Sequence, residues 1–127
     1  RGVDVEIFIP EVLDHALVKW ASNALLWQVL EKGCRVFFTP PPFDHSKLFT
    51  IDGVWSFFGS SNWDTRSIRL NLELNVELFD ATLTRTIDDL IHARRASARE
   101  ITLAGIDARG IPTRLRDGLA RLLAPYL

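Results

Sequence analysis

HSKLFTIDGVWSFFGSSN, residues 45–62, holds two β-rich runs, Lys47 to Ile51 and Val54 to Phe58, separated only by Asp52 and Gly53. β-Branched and aromatic side chains suit a pleated strand, and Asp-Gly suits a two-residue type I′ turn because both central positions need positive φ. A β-hairpin is therefore expected here. With a two-residue turn Ile51 pairs with Val54, and counting back sets Lys47 opposite Phe58 and His45 opposite Ser60. Side chains two apart share a face, so His45 and Lys47 project together, with Asn62 just beyond Ser60. Gly59 leaves room beside Ser60 for a ligand or another backbone.

On the N-terminal side, Val3 to Ile9 alternates apolar and charged residues and ends at Pro10, the pattern of a half-buried strand. Leu17, Trp20, Ala24, Trp27 and Leu30 recur at helical spacing, which predicts one amphipathic helix from about Asp14 to Glu31, capped by Gly33. Cys34 to Phe38 is a second strand, stopped by Pro40, Pro41 and Pro42. On the C-terminal side a polar loop covers Ser60 to Arg69, and a strand covers Asn71 to Phe79. A helix then runs from Thr82 to Ala98 with Asp80 or Thr82 as its N-cap, and another from Pro112 to Leu123, with a loop around Gly105 and Gly110 between them. Strands mixed with helices make the class α/β, with α+β as the alternative.

A chain of 127 residues fits one domain. With 47% hydrophobic residues and a net charge of −1 it has the composition of a globular protein, and it lacks the basic excess of a general nucleic-acid-binding surface. The single cysteine, Cys34, pairs with nothing in the chain and reads as a small buried hydrophobe. No uncharged apolar stretch approaches the roughly 18–20 residues that span a bilayer. The chain has no methionine and opens directly on a strand, so a piece of a longer protein is expected.

The residues gathered at the hairpin suit a phosphate. Histidine, with an ordinary pKa near ~6.5, serves near neutral pH as nucleophile or acid. Lysine adds a compact positive charge, and serine and asparagine add neutral donors for the equatorial oxygens of a transferring phosphoryl group. Neither a metal nor another cofactor is then required.

The spacing His45-x-Lys47-x4-Asp52-x6-Gly59-Ser60-x-Asn62 resembles the HxKxxxxD-x6-GSxN motif of the phospholipase D superfamily at every defined position. The resemblance implies a mixed β-sheet flanked by helices, forming one half of a pseudo-twofold enzyme. It implies that His45 is the nucleophile or its partner acid and that Lys47, Ser60 and Asn62 bind the phosphate. Glu73 matches the family's downstream glutamate, which orients an active-site histidine. Asp52, with Gly53 in the turn, is expected to shape the fold and not to meet substrate.

The stretch from His45 to Asp80, together with the GVDVEIFIP strand and the arginine-rich last helix, resembles the C-terminal catalytic half of bacterial cardiolipin synthases. That likeness implies a phosphatidyltransferase that exchanges phosphatidylglycerol phosphodiesters through a phosphohistidine with loss of glycerol, on a membrane surface at the cytoplasmic face of a bacterium. These enzymes use two facing histidines, and one motif is present here. The second is expected from an absent half or from a homodimer mate. The other readings are a hydrolase of the same superfamily, phospholipase or nuclease, and a non-catalytic phosphate-binding or dimerisation module.

Asp88 and His92, at i, i+4 on a helix, offer two metal ligands without a third, and a solvated face is the better reading. His15 reads as a helix-surface residue. Trp20, Trp27 and Trp55 read as core, whereas Trp63, next to Asn62, is placed to line the entrance. Arg114, Arg116 and Arg121 beside Leu115, Leu119, Leu122 and Leu123 make a basic amphipathic helix that lies either on anionic lipid or with its leucines on its own domain.

Overall fold

The computed structural model describes residues 2–62, 67 and 70–123. Its helices and strands form two compact units, one of residues 1–43 and 97–127, the other of residues 44–96.

In the first unit β1 (Glu6–Pro10) runs parallel to β2 (Arg35–Thr39), in register Ile7 with Val36 and Ile9 with Phe38. Parallel strands need a crossover, and helices α1 (Ala16–Asn23) and α2 (Leu26–Leu30) supply it. The expected single helix is thus two. Ser22 and Asn23 are weak formers of helix interiors, and the Asn23 carbonyl accepts from Arg109 Nη2 at 3.4 Å, so the chain turns at Ala24 and Leu25. Leu26, Val36, Ile101 and Ile106 form the buried core, with Ile7, Ile9, Val29, Leu30 and Phe38 packed against it.

The second unit is an antiparallel sheet in the order β3 (Leu48–Ile51), β4 (Trp55–Gly59), β5 (Asn75–Leu78), with helix α3 (Ala81–Arg95) packed on β3 and β4. Asp80 caps α3 by accepting from Thr82 N at 2.8 Å and Leu83 N at 2.9 Å. The hairpin forms, but in a shifted register. Asp52 and Gly53 both take positive φ, 51° and 65°, and Val54 N donates to Ile51 O at 3.1 Å as an Asp-Gly turn requires. The ladder then resumes at Ile51 with Trp55, leaving Val54 as an extra residue, so Leu48 pairs with Phe58. The expected pairings of Lys47 with Phe58 and of His45 with Ser60 are corrected by one position. Lys47 stands at Gly59, whose N–H donates to the Lys47 carbonyl at 3.3 Å.

Back in the first unit, the loop expected between the last two helices contains β6 (Arg99–Ile101), antiparallel to β2, and a short helix α4 (Leu103–Asp107). Thr102 caps α4 through Gly105 N at 3.1 Å. The last helix, α5 (Ile111–Leu122), carries Pro112 in its first turn and packs on α1. Its Asp117 is buried between Arg109 Nη1 at 2.8 Å and Arg116 Nη2 at 2.7 Å, and the Arg116 guanidinium lies 4.5 Å from the centre of the Trp20 ring. Among the described residues the strands thus divide between two sheets, the first mixed and the second antiparallel.

Candidate active site

The site is built in the second unit where the chain enters β3 and leaves β4. Just before β3, the Asp44 carboxylate accepts from Ser46 N at 2.8 Å and from the Ser46 hydroxyl, closing a tight turn around His45. Arg94, in the last turn of α3, pairs with the other Asp44 oxygen and ties this turn to the helix. Partial burial pushes the Asp44 carboxyl up, but the Ser46 bonds and the Arg94 charge outweigh it and hold it below the ordinary carboxylate value of 3.8. The carboxylate is therefore ionised at neutral pH and the tie persists there.

His45 is exposed and Lys47 half-buried. Lys47 Nζ lies 2.6 Å from His45 Nδ1, 2.8 Å from His45 Nε2 and 2.7 Å from the His45 carbonyl oxygen. An ammonium only donates, and a neutral imidazole accepts at one nitrogen, so just one of the two ring contacts is a hydrogen bond. The side chains expected to project together do touch. Burial lowers the Lys47 ammonium below the ordinary lysine value of 10.5, while the charges of Glu73 and Asp44 act in the opposite direction.

At the other strand end, the Ser60 hydroxyl donates to Glu73 Oε2 and accepts from Leu74 N at 3.0 Å. Asn71 Nδ2 donates to the other Glu73 oxygen at 3.2 Å. Asn75 closes the next step, its Oδ1 accepting from Ser61 N at 3.3 Å and its Nδ2 donating to the Ser61 hydroxyl at 2.8 Å. Phe57, Ser61, Asn62, Ser67, Asn71, Glu73 and Asn75 line an open cavity of about 410 Å³. A second hollow, beside Lys19 and Phe38, is only about 10 Å³ and holds at most one water.

His45 thus touches Lys47, Ser60 is joined to Glu73, and Asn62 shares the cavity with Glu73, whose charge Lys47 feels. Asp52 and Gly53 lie in the turn at the opposite end of β3 from His45. Gly59 admits the close approach of a neighbouring backbone, that of Leu74 and Asn75. A Cβ there would collide with Asn75 Oδ1 and Leu74 O and lie 2.7 Å from Asn75 Cα. Gly59→Ala is therefore expected to destabilise the second unit by about 3 kcal/mol, read as a lowered urea midpoint, because β5 must move to admit the methyl group.

The sequence reading passed over Asp44, Ser46, Asn71 and Asn75 as supports of this site. Asp44-His45-Ser46 did carry a signal, since Asp two residues before Ser is the pattern of a side-chain-closed turn. The partner Arg94, fifty positions away (94 − 44), had none. The expected place of Trp63 at the entrance lies outside the described residues. Among the described residues no group of three carboxylates, histidines or cysteines is placed to hold a metal ion.

The family model described as "Cardiolipin synthase, PLD-like domain" matches residues 1–94. The chain belongs to this phospholipase D-like family. A protein named "Cardiolipin synthase" from Oceanobacillus iheyensis is 32% identical over 99% of this chain and 26% of its own length. "Major cardiolipin synthase ClsA" from Bacillus subtilis shows the same identity and coverage, 32%, 99% and 26%. "Cardiolipin synthase A" from Pseudomonas putida is 35% identical over 100% of this chain and 26% of its own. The phospholipase D-like chain thus spans about a quarter of the length of the curated relatives it matches. Its fold is similar to the crystal structure of a phospholipase D family member, Nuc, from Salmonella typhimurium. The TM-score is 0.68 and the identity 22%, over 80% of this chain and 66% of that one. At that identity the likeness bears on the fold alone.

Proposed function

We propose that residues 1–127 act as the C-terminal catalytic domain of a cardiolipin synthase-type phosphatidyltransferase. The observation that carries this reading is the paired arrangement of His45 on Lys47 and Ser60 on Glu73, at neighbouring ends of β3 and β4. His45 is the nucleophile or its partner acid. In the first half-reaction one histidine nitrogen attacks the phosphorus of phosphatidylglycerol and the bond to glycerol breaks. A second histidine gives its proton to the departing oxygen. In the second half-reaction that histidine takes the proton from the hydroxyl of another phosphatidylglycerol, which displaces the phosphohistidine and yields the diphosphatidyl product. Lys47 and Asn62 hold the equatorial oxygens, joined by Ser60 when its hydroxyl turns from Glu73 to the phosphate, and Asp52, Gly53 and Gly59 keep the two strand ends in place. Glu73 lines the cavity, where a histidine entering from a second motif would meet and be oriented by it.

The second motif comes from the remainder of a longer chain or from a second copy of this one. Leu70, Leu72 and Leu74, each more than three-quarters exposed, give such a partner an apolar surface to cover. A membrane surface at the cytoplasmic face of a bacterium is the place of action that goes with this substrate. Counting glycerol and diphosphatidyl product against phosphatidic acid separates transfer from hydrolysis.

The chemistry supplied by Lys47, Ser60 and Asn62 takes the place of a metal ion. Turnover of the complete enzyme is accordingly expected to be unchanged by EDTA. Loss of activity that a divalent ion restores would contradict the mechanism.

The low Lys47 value also has a pH consequence. The neutral amine, which cannot attract an anion, becomes the major form at a lower pH than for an ordinary lysine. Sulfate binding, followed by calorimetry, should therefore decline at alkaline pH before the ordinary value of 10.5 is reached, and Lys47→Arg should move that decline upward.

A further inference from the structure

Helix α5 holds its place through a narrow face. Asp117 and Ala120 are buried, and Asp117 is the helix's one carboxylate, engaged by Arg109 and Arg116. The apolar residues face away from the unit instead. Ile111 is 73% exposed, Leu115 63%, Leu119 65%, Leu122 71% and Leu123 48%. At about 100° per residue these five fall on one continuous stripe. Arg114 and Arg121 lie along one border of the stripe and Arg116 along the other, all exposed. Of the two placements open to this helix from its sequence, packing of the leucines on its own domain is not what the first unit shows, since its described residues leave them uncovered.

We propose that α5 is a surface anchor that lies in the plane of an anionic lipid bilayer, its leucine stripe entering the acyl boundary and Arg114 and Arg121 meeting the headgroup phosphates. Charge complementarity selects this occupant. The outward face of α5 presents only apolar and cationic side chains, and arginines bordering a leucine stripe place positive charge at headgroup depth when the stripe is immersed. No described helix is long and apolar enough to cross a membrane, so α5 lies on the surface and does not span it. The inference deepens the membrane-surface part of the proposed function, and does not depend on the chemistry at His45.

The test is co-sedimentation of the chain with vesicles of phosphatidylcholine alone and of phosphatidylcholine mixed with phosphatidylserine. Binding to the mixed vesicles is expected to exceed binding to the neutral ones by about tenfold or more, since each arginine near an anionic surface adds roughly a fivefold preference. Arg114→Glu with Arg121→Glu should remove that excess. Leu115→Ser with Leu119→Ser should abolish binding to both vesicles while circular dichroism stays that of the parent. Arg85→Glu, a charge reversal at an exposed position of α3, should leave sedimentation unchanged, which separates the anchor from a general loss of positive charge. Equal binding to the two vesicles, or leucine variants that sediment like the parent, would overturn the proposal. So would a parent chain that binds neither vesicle and is a dimer by light scattering that the leucine variants disperse, because the stripe would then belong to a second copy.

Discussion

His45→Ala in the complete enzyme is expected to lower turnover by roughly four orders of magnitude or more, with a circular dichroism spectrum and urea midpoint close to those of the parent. The effect on rate is large because the substitution removes either the atom that bonds to phosphorus or the proton donor for the leaving oxygen, and water replaces neither in the same geometry. The effect on folding is small because His45 is exposed and precedes β3, outside the ladder. The turn around it is held by Asp44, Ser46 and Arg94, none of which the substitution removes. A folded variant with near-parent turnover would remove His45 from the mechanism.

The chain by itself, verified as a monomer, is expected to show no turnover of phosphatidylglycerol while still binding sulfate beside His45 and Lys47. One histidine cannot attack the phosphorus and, from the opposite side, protonate the leaving oxygen in the same step. Size-exclusion chromatography with light scattering, run beside an assay for glycerol and diphosphatidyl product, reads both quantities at once. Turnover by the monomer would refute the two-histidine requirement. Turnover confined to a dimer would show that a second copy supplies the missing motif.

Much of this was legible in the sequence because strong local rules coincide in residues 45–62. Asp52-Gly53 forces a reversal wherever it sits between β-rich runs, and the hairpin follows. The register was not legible. A type I′ turn and a turn followed by one extra residue use the same Asp-Gly pair, and only packing of the whole sheet decides whether Val54 or Trp55 answers Ile51. The break after Asn23 was hidden for a similar reason, since Leu26 and Leu30 continue the helical period and the competing bond comes from distant Arg109. Strand β6, three residues with two charges, falls below any periodicity signal and exists because β2 offers it an edge. At the site, the residue types announced phosphate chemistry, whereas the Asp44 to Arg94 tie joins positions that no local pattern connects.

The central claim is that chemistry passes through a covalent bond from phosphorus to a motif histidine. Mass spectrometry of the complete enzyme, quenched in base during turnover and digested, tests it most directly. The expected result is a phosphatidyl group, or the glycerophosphoryl group that remains when base removes its acyl chains, held by a phosphorus–nitrogen bond stable to base and labile to acid, on His45 or on its counterpart in the second motif. Full turnover with no phosphorus on any histidine at any time point would contradict it.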